Sequence, residues 1–80
     1  MPEVYLGSLL LVPYNFVPAG WARCHGELLQ ISQNNALFAL IGTTFGGDGV
    51  TTFALPDHRT NVPNGLHWII ALRGIFPSRD

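Results

Sequence analysis

The stretch Leu28–Arg59 reads LLQISQNNALFALIGTTFGGDGVTTFALPDHR and carries the strongest structural signals in the chain. A continuous apolar run over 36–41 follows a polar first turn. Ser32 precedes this turn as an N-cap residue would, and Gly42 is placed to end the helix. The pattern predicts a short helix near residues 33–41. Because apolar groups cover most of the circumference, we expect the helix to be buried on all sides.

The second half of this stretch predicts a turn followed by a strand. Three of the four residues in 46–49 (GGDG) are glycine, which indicates unusual φ values or a close backbone approach. The segment 50–54 (VTTFA) has the composition of a strand, and Pro56 ends it because proline cannot donate to a ladder. The turn lacks the Gly-Lys-Ser/Thr ending of a phosphate loop and the ligand spacing of an EF-hand.

The rest of the chain reads mainly as strands. Strands are predicted near residues 4–12, 20–24, 27–31, 50–54 and 66–73, with the last candidate extending over 66–76. The predicted fold is therefore α+β: a small, β-rich single domain over residues 1–80, with one short helix packed on the strands.

Three features of strand pairing follow from this pattern. His25-Gly26 predicts a hairpin turn between the second and third strands. The first strand has little alternation from Leu9 onward, which predicts burial on both faces, one against the helix and the other against a neighbouring subunit. The first and last strands are expected to pair, either within one chain or between chains, because an open strand edge is a template for addition.

Composition points to a protein that is completed by neighbours. Apolar residues make up 48% of the 80 residues, and charged residues only 11%, with no lysine. Ordinary domains contain about 25% charged residues. A body this small cannot hide so many apolar side chains, because its surface is large relative to its volume. We therefore expect self-association or incorporation into a larger assembly.

Several classes of protein are disfavoured by the same composition. The net charge of −1 argues against a nucleic-acid partner. The single cysteine excludes an internal disulfide, and no apolar run has the ~20 residues of a membrane-spanning helix. Glu3 and the lack of a basic start leave no recognisable signal peptide, so we expect synthesis in the cytoplasm.

The chain resembles the phage tail collar domain family from about residue 6 to residue 63. The residues that carry the resemblance are Gly20-Trp21, Cys24, Gly26, Leu28-Leu29, Ile31-Ser32-Gln33-Asn34, Ala36-Leu37-Phe38, Leu40, Gly42-Thr43-Thr44, Gly46-Gly47-Asp48-Gly49, Thr51-Thr52-Phe53-Ala54-Leu55-Pro56-Asp57 and Arg59. As a set, their order and spacing are specific. Members are typically parts of tail-fibre, collar or tail-like structural proteins. The resemblance implies a structural or adhesive module and not an enzyme.

We expect a non-enzymatic structural protein that self-assembles, as a phage tail or tail-like component or as a stand-alone homopolymeric filament. Its expected location is a virion or an extracellular tail-like or filamentous assembly. Its partners would be copies of itself and other tail proteins. The alternative is an adhesion module on a larger particle that binds receptors or cell-surface glycans. The candidate interface residues are Tyr14, Phe16, Trp21, Phe38, Trp68, Ile70 and Phe76.

Other chemistry finds little support in the sequence. The aromatic side chains of Tyr14, Trp21 and Trp68 could stack on sugar rings, although core packing explains them equally well. The residue types that bind metals occur at Cys24, His25, Asp57, His58 and His67, but without a recognised ligand spacing. No catalytic residue, cofactor or metal site is predicted.

Overall fold

The computed structural model describes residues 4–60 and 62–78; residues 1–3, 61, 79 and 80 of the predicted domain lie outside this description. The described residues form a β-rich α+β arrangement, which confirms the predicted fold class. The elements, in chain order, are β1 Leu9–Val12, β2 Trp21–Arg23, β3 Leu28–Gln30, α1 Asn35–Ile41, β4 Thr52–Ala54 and β5 His67–Ala71.

The first and last strands pair within one chain, which is one of the two arrangements left open by the sequence. β5 is the centre of a three-stranded antiparallel sheet with the order β1-β5-β2. Leu9 lies opposite Ile70 in β5, and Trp21 lies opposite Ala71. β1 and β5 are shorter than predicted: a turn at residues 6–7 precedes β1, and β5 ends at Ala71, short of the predicted ranges 66–73 and 66–76.

The predicted hairpin at His25-Gly26 is wrong. β3 pairs with β4 in a second antiparallel sheet and does not pair with β2. Two backbone bonds extend this ladder: Gly26 N–H donates to the Pro56 carbonyl at 3.1 Å, and Leu55 N–H donates to the Glu27 carbonyl at 2.9 Å. The segment after β4 thus takes the backbone groups that a β2–β3 hairpin would have used.

Cys24 joins the two sheets. Its N–H donates to the Trp68 carbonyl at 3.1 Å, and its carbonyl accepts from the His58 N–H at 2.8 Å. The chain therefore passes from one sheet to the other at this residue. Its side chain is 1% exposed, as expected for a cysteine that packs as a small apolar residue.

The helix begins later than predicted, and Ser32 is not its N-cap. Ile31 N–H donates to the Thr51 carbonyl at 3.0 Å, which extends the β3–β4 ladder past β3. Residues 31–33 then form a 3-10 turn, and Asn34 takes the N-cap position without a capping side-chain bond. Gly42 ends the helix as predicted, with φ of 55° and its N–H bonded to the Phe38 carbonyl at 2.7 Å.

The helix docks on the core through one fully buried side chain. Leu37 is 1% exposed, whereas the alanines at 36 and 39 are exposed, so the predicted burial on all sides is wrong. The buried core cluster consists of Leu6, Cys24, Leu37, Phe53, Leu55 and Ile70. Phe38 packs against it, with its ring 5.4 Å from that of Phe53.

The glycine-rich turn brings the backbone close to β4, as its sequence predicts. Gly47 has φ of 94°, and a Cβ there would lie 2.7 Å from the Thr52 carbonyl oxygen and collide with the Phe53 backbone. Gly46 accepts a bond from Ala54 N–H at 3.0 Å, so the turn covers part of the free side of β4. Only a residue without a side chain fits at position 47.

The carboxylate of Asp48 holds this turn together. Its Oδ1 accepts from the N–H groups of Val50, Thr51 and Thr52 at 2.8, 2.9 and 2.9 Å, and its Oδ2 accepts from Thr51 Oγ1 at 3.0 Å. These bonds, led by the one from Thr52 N–H, hold the pKa of Asp48 well below its usual range. The residue therefore works as a structural anchor of the turn.

Candidate assembly surface

Large apolar side chains remain on the surface of several elements. The exposed ones are Tyr5, Leu9, Leu10, Phe16, Leu28, Phe45, Val50, Ile75 and Phe76. Scattered single residues of this kind are normal on protein surfaces, but contiguous groups mark contacts. Two groups can be defined here: the β1 edge and a patch where the two ends of the described chain meet.

The β1 edge is the free side of β1, which pairs with no described strand except β5. Leu9 and Leu10 are 42% and 47% exposed, although consecutive residues point to opposite faces of a sheet. Within a single chain, β1 is therefore not buried at these two residues, and burial against a neighbouring subunit stays a prediction. No described strand flanks these side chains on the outer side of β1.

The bonding pattern gives the direction of the backbone groups along this edge. Gly7 and Ser8 both oppose Ala71: Gly7 N–H donates to the Ala71 carbonyl and Ala71 N–H donates to the Ser8 carbonyl, each at 2.9 Å. Bonded and non-bonded positions alternate along an antiparallel ladder. Leu10 is therefore the next residue bonded to β5, and Leu9 and Leu11 point their N–H and C=O groups away from it.

The terminal patch consists of Tyr5, Ile75 and Phe76. Tyr5 and Ile75 form an isolated parallel bridge, in which Ile75 N–H donates to the Val4 carbonyl at 2.8 Å and Leu6 N–H donates to the Ile75 carbonyl at 2.9 Å. These three side chains are 60%, 45% and 50% exposed. The bridge thus brings Tyr5 and Ile75 together, and Phe76 follows Ile75 in the chain.

The loop over residues 13–20 lies on the face of the β1-β5-β2 sheet that carries Ile69. Arg23 lies opposite Ile69 in the register, so its side chain is on the Ile69 face, and its guanidinium donates to the Asn15 carbonyl. The rings of Tyr14 and Phe16 stack, with centroids 4.4 Å apart and planes 19° apart. Phe16 is 62% exposed, so this stack presents one aromatic ring to solvent.

The predicted interface residues have different surroundings. Phe16 and Phe76 are exposed, whereas Tyr14, Trp21, Phe38 and Trp68 are half-buried. Ile70 is 1% exposed and belongs to the core cluster, so its side chain cannot reach a partner of this folded chain. Leu9, Leu10 and Tyr5 were missed. The apolar run with no alternation at β1 is the available signal, and it predicts a contact of this strand with a neighbouring subunit without identifying the residues that remain exposed.

Cys24 borders a small pocket of about 190 Å³ that also touches the three histidines of the chain. Among residues 4–60 and 62–78, no three His, Cys, Asp or Glu side chains converge as metal ligands would. Burial, with a smaller effect of the Asp57 charge, raises the pKa of the Cys24 thiol to about 11. The thiol is therefore protonated near neutral pH.

The neighbouring Asp57 carboxylate is fully engaged by Arg59. Its Oδ1 accepts from Arg59 Nε at 3.0 Å and its Oδ2 accepts from Nη2 at 2.6 Å. These side-chain bonds, together with one from the Arg59 backbone, lower the pKa of Asp57 to about 2. The pair lies where Asp57 forms an isolated antiparallel bridge with His25.

A shallow groove of about 420 Å³ lies beside β2. Its lining includes Trp21, Arg23, His25 and Glu27, so an aromatic surface stands next to charged and polar groups. This volume is within the range of small-molecule sites. A groove of this composition suits a polar ligand that has one apolar face, such as a sugar ring.

The sequence model of the Phage Tail Collar Domain family matches residues 7–63. Compared with curated proteins, the chain has no significant similarity to any of them. Within the part of the chain that the structure describes, no helix combines the length and apolar character needed to cross a membrane.

Proposed function

This chain belongs to the phage tail collar domain family, a family of structural tail proteins, and we propose that it is a non-enzymatic structural subunit of a phage tail or tail-like particle. In this role it associates with copies of itself and with other tail proteins. Family membership supports the tail role, and the surface described above supports the association.

The observation that carries this proposal is the amount of apolar surface on a weakly charged body. Large apolar side chains are exposed on β1, on the 13–20 loop and in the terminal patch, while charged residues make up only 11% of the chain. Removing such surface from water favours assembly by a gross free energy of about 25 cal/mol for each Å² buried, which the lost freedom of the subunits partly offsets. Contacts between subunits would cover these groups.

Sedimentation velocity over a wide concentration range, with electron microscopy of the same samples, tests the proposal. We expect species larger than one chain, seen as rings, fibres or other regular particles. Phe76→Asp should shift the distribution to smaller species, because it puts a charge in a dehydrated contact. Thr60→Asp, at an exposed polar position, is the matched control. A parent protein that stays monomeric at every concentration would contradict the proposal.

A second candidate function is glycan binding, and the Trp21 groove is the observation that favours it. Saccharide titration monitored by isothermal titration calorimetry tests this function in a monodisperse sample. Trp21→Ala should remove the response, whereas Trp68→Phe should keep it because Trp68 is not part of this groove. Binding that survives Trp21→Ala would exclude this groove as the site.

A further inference from the structure

We infer that the β1 edge pairs with the β1 edge of a second copy of this chain, in an antiparallel register that places Leu10 opposite Leu10 of that copy. This inference rests on the proposed function, and it names the surface and the register of one contact between subunits. It follows from the hydrogen-bonding pattern, the exposed side chains and the charge of the segment.

The backbone groups are self-complementary in this register. Leu9 and Leu11 point their N–H and C=O groups away from β5, as the bonds at Gly7, Ser8 and Ala71 require. When Leu10 faces its own copy, Leu9 faces Leu11 of the second copy. These outward-pointing groups then form bonded pairs on both sides of the central position. A shift of one residue would align outward groups with inward ones and lose the bonds.

The side chains fit the same register. Leu10 is 47% exposed and would meet its symmetry mate in a non-bonded pair, where the Cα atoms come within about 4.5 Å. On the other face of the sheet, Leu9 would pack against Leu11. The sequence from Val4 to Ala22 contains no charged residue, so the two copies bring no like charges together.

The contact has two-fold symmetry and is complete with two copies. It joins two three-stranded sheets into one of six strands, with β1 of each copy at the centre. The two-fold axis passes through the sheet at Leu10 and is perpendicular to it. Both α1 helices therefore lie on the same face of the six-stranded sheet. Larger particles would need a second, different contact, for which the terminal patch and Phe16 remain available.

Disulfide trapping tests the register directly. In Leu10→Cys, the two introduced thiols would lie opposite each other within disulfide range, and mild oxidation should convert most of the protein to a covalent dimer. Leu9→Cys is the matched control: it is similarly exposed, but the Cα atoms of the two copies would be about 8 Å apart, too far for a disulfide. The buried Cys24 provides the background, and the parent protein should not be cross-linked.

A second pair of variants tests the backbone bonds. Leu9→Pro removes an N–H that points away from β5, whereas Leu9→Ala keeps this N–H and removes most of the side chain. We expect Leu9→Pro to raise the dimer dissociation constant by at least about tenfold over Leu9→Ala, because two bonds are lost at each symmetric contact. Far-UV circular dichroism of both variants checks that the fold is retained.

The outcomes separate this inference from the proposed function. The β1 pairing would be overturned if the two cysteine variants cross-link equally or if neither cross-links. It would also be overturned if Leu9→Pro and Leu9→Ala have equal dimer dissociation constants. If the parent protein still sediments as an assembly in such a case, the structural function stands and another surface carries the contact. A parent protein that is always monomeric would overturn both.

Discussion

At the residue scale, Gly47 lies where the glycine-rich turn approaches β4 too closely for any side chain. Gly47→Ala should cost more stability than Gly65→Ala. Both glycines have positive φ, 94° and 84°, but an added Cβ meets the β4 backbone at position 47 and nothing within 4 Å at position 65. Backbone strain at a non-glycine residue with such a φ lowers the free energy of unfolding by about 1–3 kcal/mol. Urea unfolding of both variants measures the difference, and equal losses would contradict the close approach.

A second prediction at the residue scale concerns the Asp48 carboxylate. Its pKa in the folded chain lies below the ordinary value of 3.8, so its stabilisation is complete above that value and is lost as the pH falls below it. Asp48→Asn should therefore be less stable than the parent protein near neutral pH.

The pH dependence distinguishes this effect from a simple packing change. The stability gap between Asp48→Asn and the parent should narrow when urea unfolding is repeated at about pH 3. The pKa of Asp57 is also lowered, so its contribution to stability is likewise lost in acid. Both proteins contain Asp57, and its contribution therefore cancels in the stability difference. A gap that stays constant between neutral and acid solution would contradict the anchoring role of the carboxylate.

The residues of this turn illustrate what local sequence reveals. Clustered glycines predicted the unusual φ values, because glycine alone adopts them without strain. The N-cap was predicted at Ser32 and lies at Asn34, because Ile31 bonds to Thr51, which is distant in sequence. Local rules found the helix and the residue that ends it, but a long-range bond determined where the helix begins.

At the scale of elements, α1 contributes one fully buried leucine to the core, while Phe38, Leu40 and Ile41 pack against it partly buried. Leu37→Ala should lower the free energy of unfolding by about 2–5 kcal/mol, because Leu37 is 1% exposed and its loss leaves a cavity. Leu28→Ala makes the same chemical change at a side chain that is 58% exposed, and it should change the free energy by less than about 0.5 kcal/mol.

Chemical denaturation at a concentration where the protein is dissociated measures both variants without any contribution from subunit contacts. A loss at Leu37 that does not exceed the loss at Leu28 would mean that the helix is not docked by this side chain. For a domain of this size, the expected loss at Leu37 is a large share of the total stability.

Strand pairing shows why elements are easier to predict than their partners. Five strand segments were predicted in the right order, because composition and turn residues mark them locally. The hairpin at His25-Gly26 was wrong because residues 26 and 27 bond to the segment after β4. Likewise, the apolar run of β1 predicts a strand equally well in a buried or in an edge position.

At the scale of the whole molecule, the charged fraction of 11% and the net charge of −1 determine how assembly should respond to salt. Added sodium chloride should change the sedimentation profile little, because screening weakens contacts between charges and few are present. Sulfate should favour larger species, because it strengthens the burial of apolar surface. Dissociation by sodium chloride would indicate that charged contacts hold the subunits together.

The sequence predicted the surplus of apolar surface from size and composition alone, because surface-to-volume scaling applies to any fold. It could not say which side chains make up that surface. Ile70 was predicted at an interface and lies in the core, because β5 is the central strand of its sheet. Leu9 and Leu10 belong to an edge strand, and only the topology distinguishes the two positions.

The order of β1 and β5 in the chain affects how the protein is made. A ribosome synthesises β1 before β2, β3, α1 and β4, and β5 follows all of them. Until β5 has been translated, the apolar β1 segment has no strand to pair with, and interrupted synthesis would leave fragments prone to aggregate. Pairing between elements so distant in sequence is intrinsically slow, so the first sheet should form late in folding.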